Sequence, residues 1–168
     1  MEKDQFDNPN TTYLLGMYEG ELLCGARFIN STHPTMISEI FHNYFAETII
    51  LPTDVPCCEI SRLFLDKERR DSSSLQGVPA SKALFLAMNI YCIKNKYHGM
   101  YAVVSRGMYA IFRHANWKVE VIQRGLSEKG EVIYYIFMPA SINIIEDIIR
   151  KDKSSHWLRE MLEHLRHL

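Results

Sequence analysis

The chain has 168 residues, 47% of them hydrophobic and 23% charged, with a formal net charge of −1. That length fits one domain able to bury its own core. The balanced charge removes any global case for nucleic-acid binding, and no apolar run reaches the ~18 residues of a membrane-spanning helix. The opening Met1-Glu2-Lys3-Asp4-Gln5-Phe6-Asp7 is polar and carries acids, unlike a secretory signal. Cys24, Cys57, Cys58 and Cys92 form no Cys-x-x-Cys spacing, so zinc ligation is not expected and no metal site is assigned. They read as reduced, apolar residues of a reducing compartment, which predicts a cytoplasmic protein. A nucleophilic cysteine lacks support, because no His-bearing motif adjoins any of the four.

In chain order, Asp7-Asn8-Pro9-Asn10 marks a turn. The β-branched and aromatic run 11–18 predicts a strand, and 22–29 predicts its return across the tight turn Glu19-Gly20-Glu21. Arg27 falls inside the second strand, where a charge needs a partner or a ligand. Ile37, Ile40, Phe41, Tyr44 and Phe45 recur at helical spacing, predicting a helix or helical connection over 35–47. Residues 51–56 read as loop.

The stretch 57–66 predicts a central strand, because long apolar runs follow it. On a regular strand Glu59 and Ser61 share one face while Ile60 and Arg62 share the other. Charge in a covered strand is costly unless paired or used, which makes Glu59 and Arg62 candidate site residues. An edge-strand ion pair is the plainer alternative.

A charged, Ser-rich loop is predicted over 67–77, then a long helix over 79–96 with Leu84, Phe85, Met88, Tyr91 and Cys92 on its apolar face. A buried strand follows at 100–105 and a short helix at 106–115. Strands at 118–123 and 131–138 flank a turn region at 125–130. Helices at 141–150 and 154–168 close the chain, the last amphipathic through Trp157, Leu158, Met161, Leu162 and Leu165. This order predicts an α/β fold, a mixed sheet with helices on both faces, in a single domain over 1–168.

Asp4 and Asp7, Arg27, and Glu59 with Arg62 alternate acid and base on neighbouring segments. They could pair into a web around a charged ligand, although each alone is more often a solvated or edge residue.

The motifs Met1-Glu2-Lys3-Asp4-Gln5-Phe6-Asp7, Cys24-Gly25-Ala26-Arg27-Phe28 and Glu59-Ile60-Ser61-Arg62, in that order, resemble those of bacterial N-acyl-homoserine lactone synthases, the autoinducer synthases of quorum sensing. The resemblance extends through Phe85-Leu86-Ala87-Met88, Val104-Ser105-Arg106 and the Trp117 segment, covering about residues 1–140. It implies a fold similar to the acyl-CoA N-acetyltransferases (GNAT-like). It also implies acyl transfer from acyl carrier protein to the amine of S-adenosylmethionine, then lactone closure with expulsion of methylthioadenosine. S-adenosylmethionine is then a substrate, and no tightly bound cofactor is implied.

By the same resemblance Asp4, Asp7, Arg27 and Arg62 hold S-adenosylmethionine. Glu59 is the candidate general base, acting through water, and Arg62 also stabilises developing negative charge. Ser61, Met88, Ala102, Val104, Met108 and Met138 fall where the family lines its acyl pocket. Alanine at 102, where relatives that prefer 3-oxo chains often carry a hydroxyl residue, leans towards unsubstituted chains. Arg106, Arg113 and Lys118 form a candidate dock for the acidic carrier protein, with Lys67, Arg69 and Arg70 as a second basic cluster.

Three departures accompany the resemblance. The family carries a further segment ahead of the first motif, with an Arg, a Phe and a Trp that close over the ligand, so this chain is expected to be N-terminally short. Leu63 stands where the family tends to have Phe. The helix at 154–168 has no counterpart in the motifs. A coenzyme A-dependent N-acetyltransferase is the nearest rival enzyme, but the stretch 69–80 holds only Gly77 where a Gly-rich pyrophosphate turn belongs. A degenerate synthase that folds without turning over is the second rival.

Overall fold

A computed structural model describes residues 3–66, 79–150 and 152–167. Six strands form one sheet: β1 (Thr11–Tyr18), β2 (Glu21–Asn30), β3 (Cys57–Leu65), β4 (Gly99–Ser105), β5 (Glu120–Leu126) and β6 (Val132–Pro139), in the order β1-β2-β3-β4-β6-β5. Every neighbouring pair is antiparallel except β3 and β4. The helices are α1 (Met36–Glu39), α2 (Ala80–Lys94), α3 (Arg106–His114), α4 (Ile142–Ile149) and α5 (Ser155–His167), with a 3₁₀ turn at Phe41–Tyr44. The predicted loop 67–77, with Lys67, Arg69, Arg70 and Gly77, lies outside the described residues.

The first hairpin turns tightly because Glu19 (φ 49°) and Gly20 (φ 82°) both adopt left-handed backbone, the requirement of a two-residue turn that matches strand twist. Its register sets Tyr13 directly opposite Arg27. The sheet then changes character at its centre. β3 and β4 are paired only through Cys57↔Gly99, Cys58↔Met100 and Glu59↔Tyr101. Beyond Glu59 the two strands are no longer partners, and a cleft opens between them.

Helices do cover both faces, but unequally. One face carries Ala26, Phe28, Cys58, Ile60, Met100, Ala102, Ile136 and Met138 against α2–α5, in the larger core cluster. On this side Phe85, Phe112 and Trp117 meet with ring centroids 5.1–5.7 Å apart, and the Trp117 indole N–H donates to the Pro139 carbonyl at 3.0 Å. Edge and tilted arrangements of this kind contribute beyond area burial alone. The other face carries Cys57, Tyr101 and Tyr135 under Ile37, Phe45, Ile49 and Leu51.

Of the two readings of 35–47, that second cover is a helical connection rather than one continuous helix. Thr35 and Ser38 form a reciprocal capping box that starts α1, but Ile40 (φ −121°, ψ −55°) ends it after one turn. The chain continues as a strap across the sheet: the Tyr135 hydroxyl donates to the Ile50 carbonyl at 2.8 Å, and Glu47 and Gln123 exchange bonds at 3.0 and 3.3 Å. A Cβ at Gly125 would lie 2.3 Å from the Tyr44 carbonyl oxygen, so the strap's close approach requires glycine there. The helical spacing of Ile37, Ile40, Phe41, Tyr44 and Phe45 is met by two short helical pieces, 36–39 and 41–44, which seat Ile37, Phe41, Tyr44 and Phe45 on the sheet. β5 also begins later and runs further than the predicted 118–123, ending at the Ser127–Gly130 turn.

The C-terminal helix α5 buries Leu158 and Leu162, and packs on α2 and α4. Lys82 pairs with Asp152 at 2.5 Å and Arg159 with Glu146 at 3.0 Å, tying the same units together by charge.

Candidate active site

The charged web begins with local chain chemistry. In Asp4-Gln5-Phe6-Asp7 the Asp4 N–H donates to Asp7 Oδ2 (2.8 Å), the Phe6 N–H to Asp4 Oδ1 (2.9 Å) and the Asp7 N–H to the Asp4 carbonyl (3.1 Å). Aspartates fold short turns this way because their side chains accept from nearby backbone. The turn brings both carboxylates to one point, where β2 and β3 deliver two arginines.

Arg27 is fully buried. Its Nη1 donates to Asp4 Oδ1 (2.7 Å) and Asp7 Oδ1 (3.1 Å), its Nε to Ser61 Oγ (2.9 Å) and its Nη2 to the Met36 thioether (2.9 Å). Phe6 lies beneath the guanidinium with its ring centroid 5.7 Å from Cζ. The Tyr13 hydroxyl, opposite Arg27 in the hairpin, donates to Asp7 Oδ1. Arg62 donates from Nη2 to Asp4 Oδ2 at 2.9 Å and stands 3.7 Å from Asp7 Oδ2.

Arg62 overturns the expectation that it faces away from Glu59 and Ser61. Gly25 pairs with Phe64 and Arg27 with Ser61, so β3 bulges opposite Ala26, and Arg62 takes φ 49°. The bulge interrupts the alternation, and Arg62 joins Ser61 and Arg27 at the same web. Left-handed backbone at a non-glycine residue is strained and persists where surrounding contacts hold it. Here the Asp4–Arg62 bond and the flanking strand pairing do so.

Glu59 is 1% exposed. Its Oε1 accepts from the Met36 N–H (3.2 Å) and its Oε2 from the Ile37 N–H (2.6 Å), so the carboxylate seats the first turn of α1. Burial pushes the Glu59 carboxyl up; the Ile37 N–H, Thr35 hydroxyl, Met36 N–H and Arg27 charge offset this only in part. The aspartates go the other way. Burial acts to raise Asp4, but hydrogen bonds from Arg27 and Arg62 outweigh it and hold the carboxyl low. Asp7 is brought down to about 2, first by the Tyr13 hydroxyl and then by the Asp4 N–H. One site therefore holds two firmly ionised carboxylates beside a third that retains its proton more readily.

The cleft between β3 and β4 adjoins the web through Ser61 and Arg62. Its volume is about 250 Å³, and its lining includes Ser61, Ala102, Val104, Met108, Phe112 and Met138. Five of the six residues expected at an acyl pocket thus meet here. Met88 is not among the lining residues; it is fully buried in α2 within the larger core. Phe112, anchored by Phe85 and Trp117, completes the wall without having been singled out in the sequence.

Arg113 and Lys118 line a separate surface cavity of about 490 Å³ with Tyr109, Trp117, Asp147 and Arg150; Arg106, exposed at the start of α3, is not part of it. Asp147 lies 3.2 Å from Arg150 and 4.0 Å from Lys118, so this patch is basic but partly neutralised. Among the described residues no cluster of His, Cys, Asp or Glu fits a metal ion, and no helix is long and apolar enough to cross a membrane. All four cysteines are buried and free.

The fold is shared with solved acyl-homoserine lactone synthase structures. The structure of BjaI, a CoA-dependent acyl-homoserine lactone synthase with SAM and isopentyl-CoA, superimposes with a TM-score of 0.73 at 17% identity, over 99% of this chain and 79% of that one. TofI, in a ternary complex with an inhibitor and MTA, gives a TM-score of 0.71 at 19% identity, over 88% and 74%. At these identities the likeness establishes the fold.

Sequence carries the rest. The autoinducer synthase family model matches residues 1–148. An acyl-homoserine-lactone synthase of Serratia liquefaciens is 42% identical over 140 residues, 83% of this chain and 69% of the relative. One of Pectobacterium carotovorum subsp. carotovorum is 38% identical over 151 residues, 90% and 69%. The chain belongs to the autoinducer synthase family, whose members here are acyl-homoserine-lactone synthases, and it spans about two thirds of the length of these relatives. The whole of α5 lies beyond residue 148 and outside the matched stretch.

Proposed function

We propose that the chain transfers an acyl group from acyl carrier protein to the amine of S-adenosylmethionine and then closes the homoserine lactone. The observation that carries this reading is the adjacency of the paired web and the apolar cleft at Ser61–Arg62. A zwitterionic, sulfonium-bearing substrate suits the first, and an acyl chain suits the second.

Asp4, Asp7, Arg27 and Arg62 bind S-adenosylmethionine, with the acids towards cationic groups and the arginines towards the α-carboxylate. Glu59 accepts the amine proton through water; its raised proton affinity is in the direction a base needs. The freed amine attacks the thioester carbon, and Arg62 stabilises the oxyanion that forms. Collapse expels the pantetheine thiol and leaves the amide. The α-carboxylate then attacks its own γ-carbon, the C–S bond to sulfur breaks, and methylthioadenosine leaves as a neutral thioether. Orientation supplies most of this second step, because the sulfonium is already a good leaving group.

Ser61, Ala102, Val104, Met108 and Met138 receive the acyl chain, with Met88 supporting them from the core. Arg106, Arg113 and Lys118 dock the acidic carrier protein. The reaction belongs to the cytoplasm, where both substrates and reduced cysteines are at home.

BjaI, of the same fold, is a CoA-dependent synthase, so the donor is the feature to measure. Initial rates with one acyl chain presented on carrier protein or on coenzyme A test it. The expected result is a rate at least about tenfold higher on carrier protein, reduced when Arg113 and Lys118 are reversed to Glu and more sensitive to salt than the coenzyme A rate. Equal or inverted rates would make coenzyme A the donor.

A further inference from the structure

Arg27 makes one contact that the web alone does not explain. Its Nε and Nη1 face oxygens of Ser61, Asp4 and Asp7, and the Tyr13 hydroxyl lies beside the guanidinium. Its Nη2 is directed at the sulfur of Met36, 2.9 Å away. A thioether is a weak acceptor, while a guanidinium fork is shaped for the two oxygens of a carboxylate. The strongest donor of the site therefore spends one arm on its weakest acceptor.

Accessibility adds a second observation. Arg27 has no exposed surface, so a ligand can reach it only by displacing a neighbour. Asp4 is held by both arginines, and Ser61 by its place in β3. Met36 is half-buried, and its backbone is fixed by its N–H bond to Glu59 while its side chain is unbranched. Such a chain swings between rotamers at little cost.

We infer that the Met36 thioether occupies the place on Arg27 Nη2 that the α-carboxylate of the substrate takes, so that Met36 competes with the methionyl end of S-adenosylmethionine. This rests on the proposal that S-adenosylmethionine is the acyl acceptor. Met36 then acts as a positioning residue with a specificity role. It keeps the buried guanidinium occupied in the free enzyme and gives way only to a ligand with a better acceptor. Ligands that lack the carboxylate have no means of displacing it from Arg27.

Calorimetric titration of S-adenosylmethionine and of methylthioadenosine, which lacks the carboxylate, into the wild type, Met36→Ala and Met36→Gln tests this. Thermal melts verify that each variant is folded. Met36→Ala removes the competitor and Met36→Gln replaces it with a stronger acceptor. One hydrogen bond exchanged for a better or worse one predicts S-adenosylmethionine binding about threefold tighter in the alanine variant and about threefold to tenfold weaker in the glutamine variant. Methylthioadenosine affinity should stay within about twofold across the series, below the effect of one such bond. Unchanged or weaker S-adenosylmethionine binding in Met36→Ala, or parallel changes for both ligands, would overturn the inference. A wild type that binds neither ligand would instead remove the S-adenosylmethionine reading, and the inference with it.

Discussion

The two sides of the opened sheet are built on opposite rules. The web of Asp4, Asp7, Arg27, Arg62 and Glu59 rests on directional contacts between 2.6 and 3.7 Å, and each group there has a named partner. The cleft a few residues away is lined chiefly by side chains whose contribution is shape and volume. A conservative exchange in the web leaves a buried donor or acceptor without its partner, at about 1–3 kcal/mol for each group. A comparable exchange in the cleft alters volume, and usually costs less than about 1.5 kcal/mol when volume is conserved. Changes in the web should therefore act on rate, and changes in the cleft on which acyl chain is used.

Glu59→Gln should have the largest effect. It removes the proposed base, a loss of about 10²–10⁴ in turnover. It also turns one of the two oxygens that hold α1 into a donor facing a backbone N–H, so stability should fall by about 1–3 kcal/mol. Thermal melts and steady-state rates separate the two losses; a near-normal rate in a folded variant would remove Glu59 from the base role. Arg62→Lys comes next, because an ammonium offers no planar fork to Asp4 and the substrate. A loss of about tenfold to a hundredfold in kcat/KM is expected, equivalent to ~1.4–2.7 kcal/mol, and full activity would show that charge alone suffices there.

Acid should weaken the web selectively. Asp4 and Asp7 have carboxyls held below their unfolded values, Asp7 at about 2. Their stabilisation is complete above the unfolded value near ~4 and is lost as pH falls towards 2. Glu59 has the opposite sign, since a raised carboxyl favours the folded state more as pH falls. Equilibrium unfolding between pH 5 and 2 should show stability dropping in the wild type and less so in an Asp7→Asn variant; identical slopes would mean that Asp7 is not held low. The smallest change expected is Ala102→Thr in the cleft. A hydroxyl there should raise the share of 3-oxo acyl donors used by about threefold, the worth of one modest hydrogen bond. An unchanged product profile would retire residue 102 as a selector.

Much of the fold was legible because its strands and longer helices obey their local periods. The hairpin followed from a turn that needs left-handed backbone, and the central place of 57–65 from the apolar runs after it. The site was harder to read. Arg27 and Glu59 stood out as charges within apolar strands, and Asp4 and Asp7 through the motif they belong to, but the place of Arg62 depended on a bulge. One inserted residue leaves no mark in composition and reverses which face a side chain takes. Tyr13 was hidden in the same way: counting back from Glu19-Gly20 sets Thr12 opposite Arg27, and only the register shift between Gly16 and Met17 brings Tyr13 there. Nor could Met36 be found: it lay in a segment read as a helix or helical connection, and only the strap's packing on the far face reveals that α1 is one turn long and seated on Glu59.

The most direct test of the joined web and cleft is a product stoichiometry. The chain is incubated with S-adenosylmethionine and acyl carrier proteins loaded with different chains, and lactone and methylthioadenosine are counted by mass spectrometry. One methylthioadenosine released per acyl-homoserine lactone, with Arg62→Lys lowering both equally, is the predicted result. Methylthioadenosine formed without lactone, or an acylated amine that never cyclises, would contradict it.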